Sequence, residues 1–171
     1  HSLFDLRFKL AFLPLVGGWF APNPGKGQHE DRDDANFDMP VPFTVDILEG
    51  WCNVTDEIEA HAPPWTLSKP DGVGAFQISV ATFKSGRIPN PSSQVMLGML
   101  RDFASSQQLG EPADIVIEEG DLRIAAASLR QNDNFIRTWY ASDGRNFAKI
   151  TYTSAWSAKR TELPDCERMV R

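Results

Sequence analysis

The sequence predicts an α+β fold, with α/β/α layers around a mainly antiparallel sheet of about six or seven strands and two covering helices. Three observations support this prediction. Short segments of alternating apolar and polar residues are separated by turn sequences such as residues 70–72 (Pro-Asp-Gly) and 143–144 (Asp-Gly). Two other segments repeat apolar residues at helical spacing. Strands joined by short turns pair antiparallel, and two amphipathic helices can then cover the apolar faces of the sheet.

Three strands are expected before the first helix. Residues 43–48 (Phe-Thr-Val-Asp-Ile-Leu) alternate as a half-buried strand does. Residues 65–68 and 73–83 are predicted to form the next two strands. The Pro-Asp-Gly sequence between them favours a tight turn, because proline restricts φ and glycine accepts a positive φ.

The first helix is predicted to begin after Pro91, where Ser92 or Ser93 can serve as the N-cap. Four apolar residues then fall at positions i, i+3, i+4 and i+7, which places them along one side of a helix. We expect this side to face the core, and its members are Met96, Met99, Leu100 and Phe103.

The remainder of the chain is predicted to form hairpins and a final helix. Pro164 suits the first turn of that helix. The apolar residues on one side of it are Leu163, Cys166, Met169 and Val170. The four strands that precede it are expected at residues 114–118, 122–130, 135–140 and 147–153.

We divide the chain into an N-terminal arm with an acidic linker (residues 1–41) and a single α+β domain (residues 42–171). Within the arm, Arg7 and Lys9 precede an apolar run at residues 10–16, which has the outline of a signal peptide. Two interpretations stay open, an ordered arm or an export signal. We therefore expect a cytoplasmic protein, with an exported protein as the alternative.

Composition and charge argue against several classes of function. The chain has 17 Lys and Arg against 23 Asp and Glu, a net charge of −6, which is unfavourable for binding nucleic acid. Its three histidines lack metal-ligand spacing, and no phosphate-binding loop occurs, so no metal or cofactor is expected. Cys52 and Cys166 are expected to be separate, mostly buried thiols, because free cysteine behaves as a small apolar residue.

Two groups of residues are candidates for binding a protein partner. Phe135, Arg137 and Trp139 face the same way on a predicted strand, and tryptophan and arginine are enriched at binding hot spots. Burial of this face under the second helix would explain the same pattern. The second group is an acidic turn, and its members are Glu118, Glu119 and Asp121. A pair of acids can also serve a glycosidase, but acids at the tip of a hairpin are usually solvated.

Several strings resemble the PsbP-like family. Residues 43–51 resemble the opening strand of the family and the Gly-Trp pair that follows it, and residues 74–79 resemble a central strand. The segment from Trp139-Tyr140 to residues 150–152 is similar to central strands of small bacterial members. The resemblance implies a non-enzymatic α/β/α scaffold that binds other proteins. Relatives include a photosystem extrinsic subunit, a nuclear-import cofactor, adaptors for secreted toxins and proteins that look like immunity proteins.

The expected function is therefore a non-enzymatic protein-binding module, of the bacterial toxin-immunity or secretion-adaptor type. Its partner would be another protein, such as a basic toxin or a secreted effector, because acidic surfaces attract basic partners. Two alternatives stay open: an exported envelope or ligand-binding protein, and a small hydrolase with acidic residues that the sequence does not place.

Overall fold

A computed structural model describes residues 44–171, which form a seven-stranded antiparallel sheet and two α-helices. The strands are β1 (Cys52–Asn53), β2 (Trp65–Ser68), β3 (Gly74–Ala81), β4 (Ala113–Glu118), β5 (Arg123–Gln131), β6 (Asn134–Ser142) and β7 (Phe147–Ala155). The helices are α1 (Ser93–Ser106) and α2 (Leu163–Val170), and 3-10 turns lie at Thr55–Glu57 and Trp156–Ala158. The predicted fold class and the last six predicted strands are thus confirmed. The arm and linker predicted at residues 1–41 lie outside the described residues.

The strands lie in the order β1-β2-β3-β7-β6-β5-β4. Strands β4 to β7 follow one another as hairpins, because each is joined to the next by a short turn. The last of them, β7, then pairs with β3 over eight residues, from Gly74 opposite Ser154 to Ala81 opposite Phe147. This pairing joins the two halves of the chain into one sheet, with β1 and β4 as its outer strands.

The prediction of a strand at residues 43–48 is wrong, because residues 44–48, the part of it that the structure describes, have no regular secondary structure. Val45 and Leu48 do pack against the core, but Ile47 between them is 47% exposed. The backbone then turns, with Trp51 N donating to Leu48 O at 3.1 Å. The outer edge of β2 is paired with β1, so this apolar segment packs on the core as a loop.

The two faces of the sheet carry separate apolar cores. Side chains that alternate along a strand point to opposite faces. On β6, Trp139 belongs to the core of the first face, which α2 covers through Cys166 and Met169. The neighbouring Tyr140 belongs to the core of the second face, which α1 covers through Leu100. The predicted α/β/α layering follows from this division.

Helix α1 begins as predicted, because the Ser92 side chain accepts a hydrogen bond from Val95 N. Its buried side is rotated from the predicted one. Met96 and Leu100 are fully buried, but Met99 is 43% exposed. The helix buries Leu97 and Ala104 as well, which moves the centre of the contact away from Met99. The prediction that Met99 packs in the core is therefore wrong.

The start of α2 is held against the β2–β3 turn by polar contacts. Glu162 is 3% exposed, and its carboxylate accepts hydrogen bonds from Val73 N at 3.1 Å and from Tyr152 Oη at 3.2 Å. Gly74, at the start of β3, is required by this packing, because a Cβ there would lie 2.5 Å from the Tyr152 ring. Lys69 adds a salt bridge to Asp165 at 2.7 Å.

The two cysteines are free thiols, as expected, but only one is buried. Cys166 lies on the side of α2 that faces the core, and burial raises the pKa of its thiol. Cys52 is exposed, which corrects the prediction for it. The difference follows from position, because β1 is a two-residue outer strand with both residues exposed.

Candidate functional site

The first candidate group lies inside the protein. Phe135, Arg137 and Trp139 share the first face of the sheet, as predicted, and are only 3%, 3% and 1% exposed. Helix α2 lies over them. Of the two explanations that the sequence left open, burial under the second helix is the one found. These three side chains are therefore not presented on a surface to a partner.

Arg137 is bound on several sides by the protein itself. Its Nε donates to Glu167 Oε1 at 3.0 Å, and its Nη1 donates to Asp114 O at 2.7 Å and to Ser128 Oγ at 3.3 Å. The other carboxylate oxygen of Glu167 accepts from Trp139 Nε1 at 3.3 Å. A buried guanidinium needs such partners because an unpaired charge is costly away from water. The group is a structural anchor for α2.

The acidic turn lies between β4 and β5, and two of its acids are bound to helix ends. Glu118 Oε1 accepts from Arg171 Nη2 at 2.7 Å, next to the end of α2. Glu119 accepts from the backbone N of Ser93 at 3.2 Å, at the start of α1. A carboxylate is favourable there because the first turn of a helix has free N–H groups. Asp121 is exposed.

Strand β4 borders this turn and presents apolar side chains to solvent. It is an outer strand, paired on one side with β5, and its other edge is unpaired among the described residues. Val116 packs against the first core, whereas Ile115 and Ile117 are 41% and 37% exposed. The pairing with β5 shifts register between Ala113 and Val116, so the regular part of the strand is short. The sequence shows the alternation around Val116, but not that β4 is an outer strand.

A partly buried lysine on the second face of the sheet was not predicted from the sequence. Lys149 lies on β7 between Ser79 of β3 and Tyr140 of β6, and its Nζ is 3.8 Å from the ring centre of Phe103 on α1. Burial lowers the pKa of this lysine to about 8. Burial likewise raises the pKa of Tyr140 to about 12. A lysine within an alternating strand is ordinarily predicted to be exposed, so the sequence does not indicate that the side chain of Lys149 is partly buried.

Comparison with known proteins returned no match, either to a family model or to a curated protein. The resemblance to PsbP-like proteins stays a prediction. Within residues 44–171, no group of three or more His, Cys, Asp or Glu side chains could hold a metal ion. The helices of this same part of the chain are too short or too polar to cross a membrane.

Proposed function

We propose that this chain is a non-enzymatic protein-binding module of the toxin-immunity or secretion-adaptor type, and that it binds its partner along β4. The observation that carries the proposal is the edge of β4 that no other strand of residues 44–171 pairs with, with Ile115 and Ile117 exposed on one side. Unpaired strand edges offer backbone donors and acceptors, and proteins commonly bind an extended segment by adding it as a further strand.

The charge around β4 favours a basic partner. Asp114 precedes the two isoleucines, and Glu118, Glu119 and Asp121 follow them. Glu118 and Glu119 pair with Arg171 and Arg123, so the free acids of this group within residues 44–171 are the exposed Asp114 and Asp121. An extended segment that alternates apolar residues with lysine or arginine would place apolar side chains on the isoleucines and cations near the acids.

The same charges disfavour a second copy of the chain as the occupant. If two β4 strands paired antiparallel about Val116, Asp114 of one copy would lie opposite Glu118 of the other. This would occur at both ends of the pair, and like charges directly opposite each other destabilise strand pairing. A basic partner is therefore the better occupant.

The test compares matched isoleucine substitutions. A stoichiometric partner captured from the native host is identified, purified and titrated against three chains: the wild type, Ile115→Lys with Ile117→Lys, and a control with Ile47→Lys and Ile88→Lys. The control isoleucines are also exposed, at 47% and 51%, and belong to segments outside β4. Circular dichroism checks that all three chains fold.

We expect the β4 variant to bind about 30-fold more weakly, because each partly exposed isoleucine contributes about 1 kcal/mol when covered. The control is expected to stay within about twofold of the wild type, and added salt is expected to weaken wild-type binding. Equal affinity of the β4 variant and the control would refute the β4 site. A full chain that captures no stoichiometric partner would refute the protein-binding function itself.

A further inference from the structure

The second face of the sheet is covered unevenly by α1. The helix packs on β4, β5 and β6. On the same face, β3 and β7 carry half-buried polar side chains, which include Gln77, Ser79, Lys149 and Thr151. A strip of polar sheet thus lies beside the helix, outside the apolar core under α1.

Lys149 is the charged group of this strip. Its aliphatic stem and ammonium group lie against Phe103, with Nζ 3.8 Å from the ring centre. Among the described residues, no carboxylate lies within salt-bridge distance of Nζ, which also makes no hydrogen bond there. A partly desolvated ammonium with only an aromatic contact is less stable than one paired with an anion.

The side of α1 next to Lys149 is apolar. Met99 and Phe103 are four residues apart, which places them along this side of the helix. Val95, one turn earlier, is turned further toward solvent, almost opposite the buried side of α1. Met99 is 43% exposed. From Met99 to Phe103 the helix rises by about 6 Å. A short apolar strip therefore leads along α1 to the lysine at its end.

We propose that the surface beside Lys149 binds a small amphipathic monocarboxylate. This surface is defined by Lys149 and Ser79 on the sheet and by Met99 and Phe103 on α1. The carboxylate pairs with Lys149 Nζ, and the hydrocarbon part lies along the exposed apolar side of α1. The proposal is independent of β4, which lies at the outer edge of the sheet beyond β5 and β6.

The pH dependence of binding identifies Lys149 as the group that pairs with the ligand carboxylate. A bound carboxylate stabilises the ammonium form, so it raises the pKa of Lys149 above its value of about 8 in the free protein. Affinity is then constant between about pH 6, where the ligand carboxylate is ionised, and this pH. Above this pH it falls about tenfold for each pH unit, until the pKa of the bound state is reached.

Other groups near Lys149 do not account for such a profile. Tyr140 on β6 has its pKa raised to about 12 by burial, so it stays neutral in this range. Ser79, opposite Lys149 on β3, and Thr151, two residues along β7, do not titrate. On α1, the carboxylate of Asp102 is exposed and lies farther than 4.0 Å from Nζ.

The experiment uses decanoate as the probe and decanol as its uncharged counterpart. The full chain is titrated by calorimetry as wild type, as Lys149→Met, and as Lys84→Met, which alters an exposed lysine that is not one of the residues of this surface. We expect Lys149→Met to weaken decanoate binding at least about tenfold at pH 7 and to leave decanol binding unchanged. Lys84→Met is expected to change neither. Equal decanoate affinity of Lys149→Met and wild type, or no saturable decanoate binding to the wild type, would overturn the proposal.

A second measurement avoids dependence on a variant. The side-chain resonance of Lys149 in the wild-type protein is followed by NMR against pH, with and without decanoate. We expect decanoate to raise the pKa of Lys149 by about one unit or more, the counterpart of a tenfold preference for the ammonium form. An unchanged titration in saturating decanoate would show that the carboxylate does not bind at this lysine.

Discussion

The anchor beneath α2 predicts a large loss of stability when Glu167 is replaced by alanine. Glu167 accepts hydrogen bonds from Arg137 at 3.0 Å, from Trp139 at 3.3 Å and from Arg171 at 3.0 Å. Glu167→Ala removes all three and leaves two buried donors without this partner. The helix would keep its apolar contacts with the sheet, so we expect a less stable protein with the same fold.

The magnitude follows from the burial of each partner. Removing one member of a buried ion pair costs about 3–5 kcal/mol. The Glu167 side chain is 23% exposed and Arg137 keeps Asp114 O, so we reduce this cost to about 2 kcal/mol. The unpaired indole N–H of Trp139 adds about 1 kcal/mol. The contact with Arg171 is exposed and contributes little. We therefore expect Glu167→Ala to lower the free energy of unfolding by about 3 kcal/mol.

Urea denaturation followed by circular dichroism measures this loss. With a slope of about 1.5 kcal/mol per molar urea, the midpoint is expected to fall by about 2 M. Arg168→Ala is the control, because Arg168 also lies on α2 but is 70% exposed, and it should change stability by less than about 0.5 kcal/mol. In a double-mutant cycle, Arg137→Met with Glu167→Ala should cost less than the sum of the single changes, because no buried charge is left unpaired. A Glu167→Ala protein within about 0.5 kcal/mol of wild type would refute the anchor.

Three further predictions concern packing and exposure. A thiol reagent such as Ellman's reagent should label Cys52 in the native protein and Cys166 only after unfolding, and two fast-reacting thiols would contradict the assigned burial. In urea denaturation, Gly74→Ala should destabilise the protein by at least about 1 kcal/mol, because the new Cβ clashes with the neighbouring strand. Gly98→Ala, at an open position on a helix, should be neutral or stabilise the protein by up to about 1 kcal/mol. Within residues 44–171 the buried hydroxyl of Thr138 has no hydrogen-bond partner, so Thr138→Val should leave the stability unchanged or raise it, and a loss above about 1 kcal/mol would indicate an unrecognised polar contact.

Much of the fold could be predicted from local sequence, because local backbone preferences determine where the turns, strands and helices begin and end. The Pro-Asp-Gly and Asp-Gly turns, with alternating residues on either side, placed the hairpins. Ser92 placed the start of α1, and Pro164 placed the first turn of α2. The segment at residues 44–48 has the same alternation as a strand, but a strand also needs an edge to pair with, and local sequence does not show whether one is free.

The candidate site was less predictable than the fold. Arg137 and Trp139 have the composition of a binding hot spot, and the same composition suits a charged anchor beneath a helix. Local sequence cannot distinguish the two, because the carboxylate that pairs with Arg137 lies thirty residues later, on α2. Lys149 is the opposite case. Its position in an alternating strand suggests an exposed side chain, but α1 packs beside it and partly buries it.

By itself, the sequence determined six of the seven strands and both helices, because these depend on residues close together along the chain. It also determined the acidic character of the β4–β5 turn. It did not determine the loop at residues 44–48 or the exposure of Met99. Only the tertiary structure decided that β4 lies at the edge of the sheet, that α2 covers Arg137 and Trp139, and that α1 leaves the second face open beside Lys149. Exposure and charge pairing depend on elements distant in sequence, so these features follow from how the helices and strands pack.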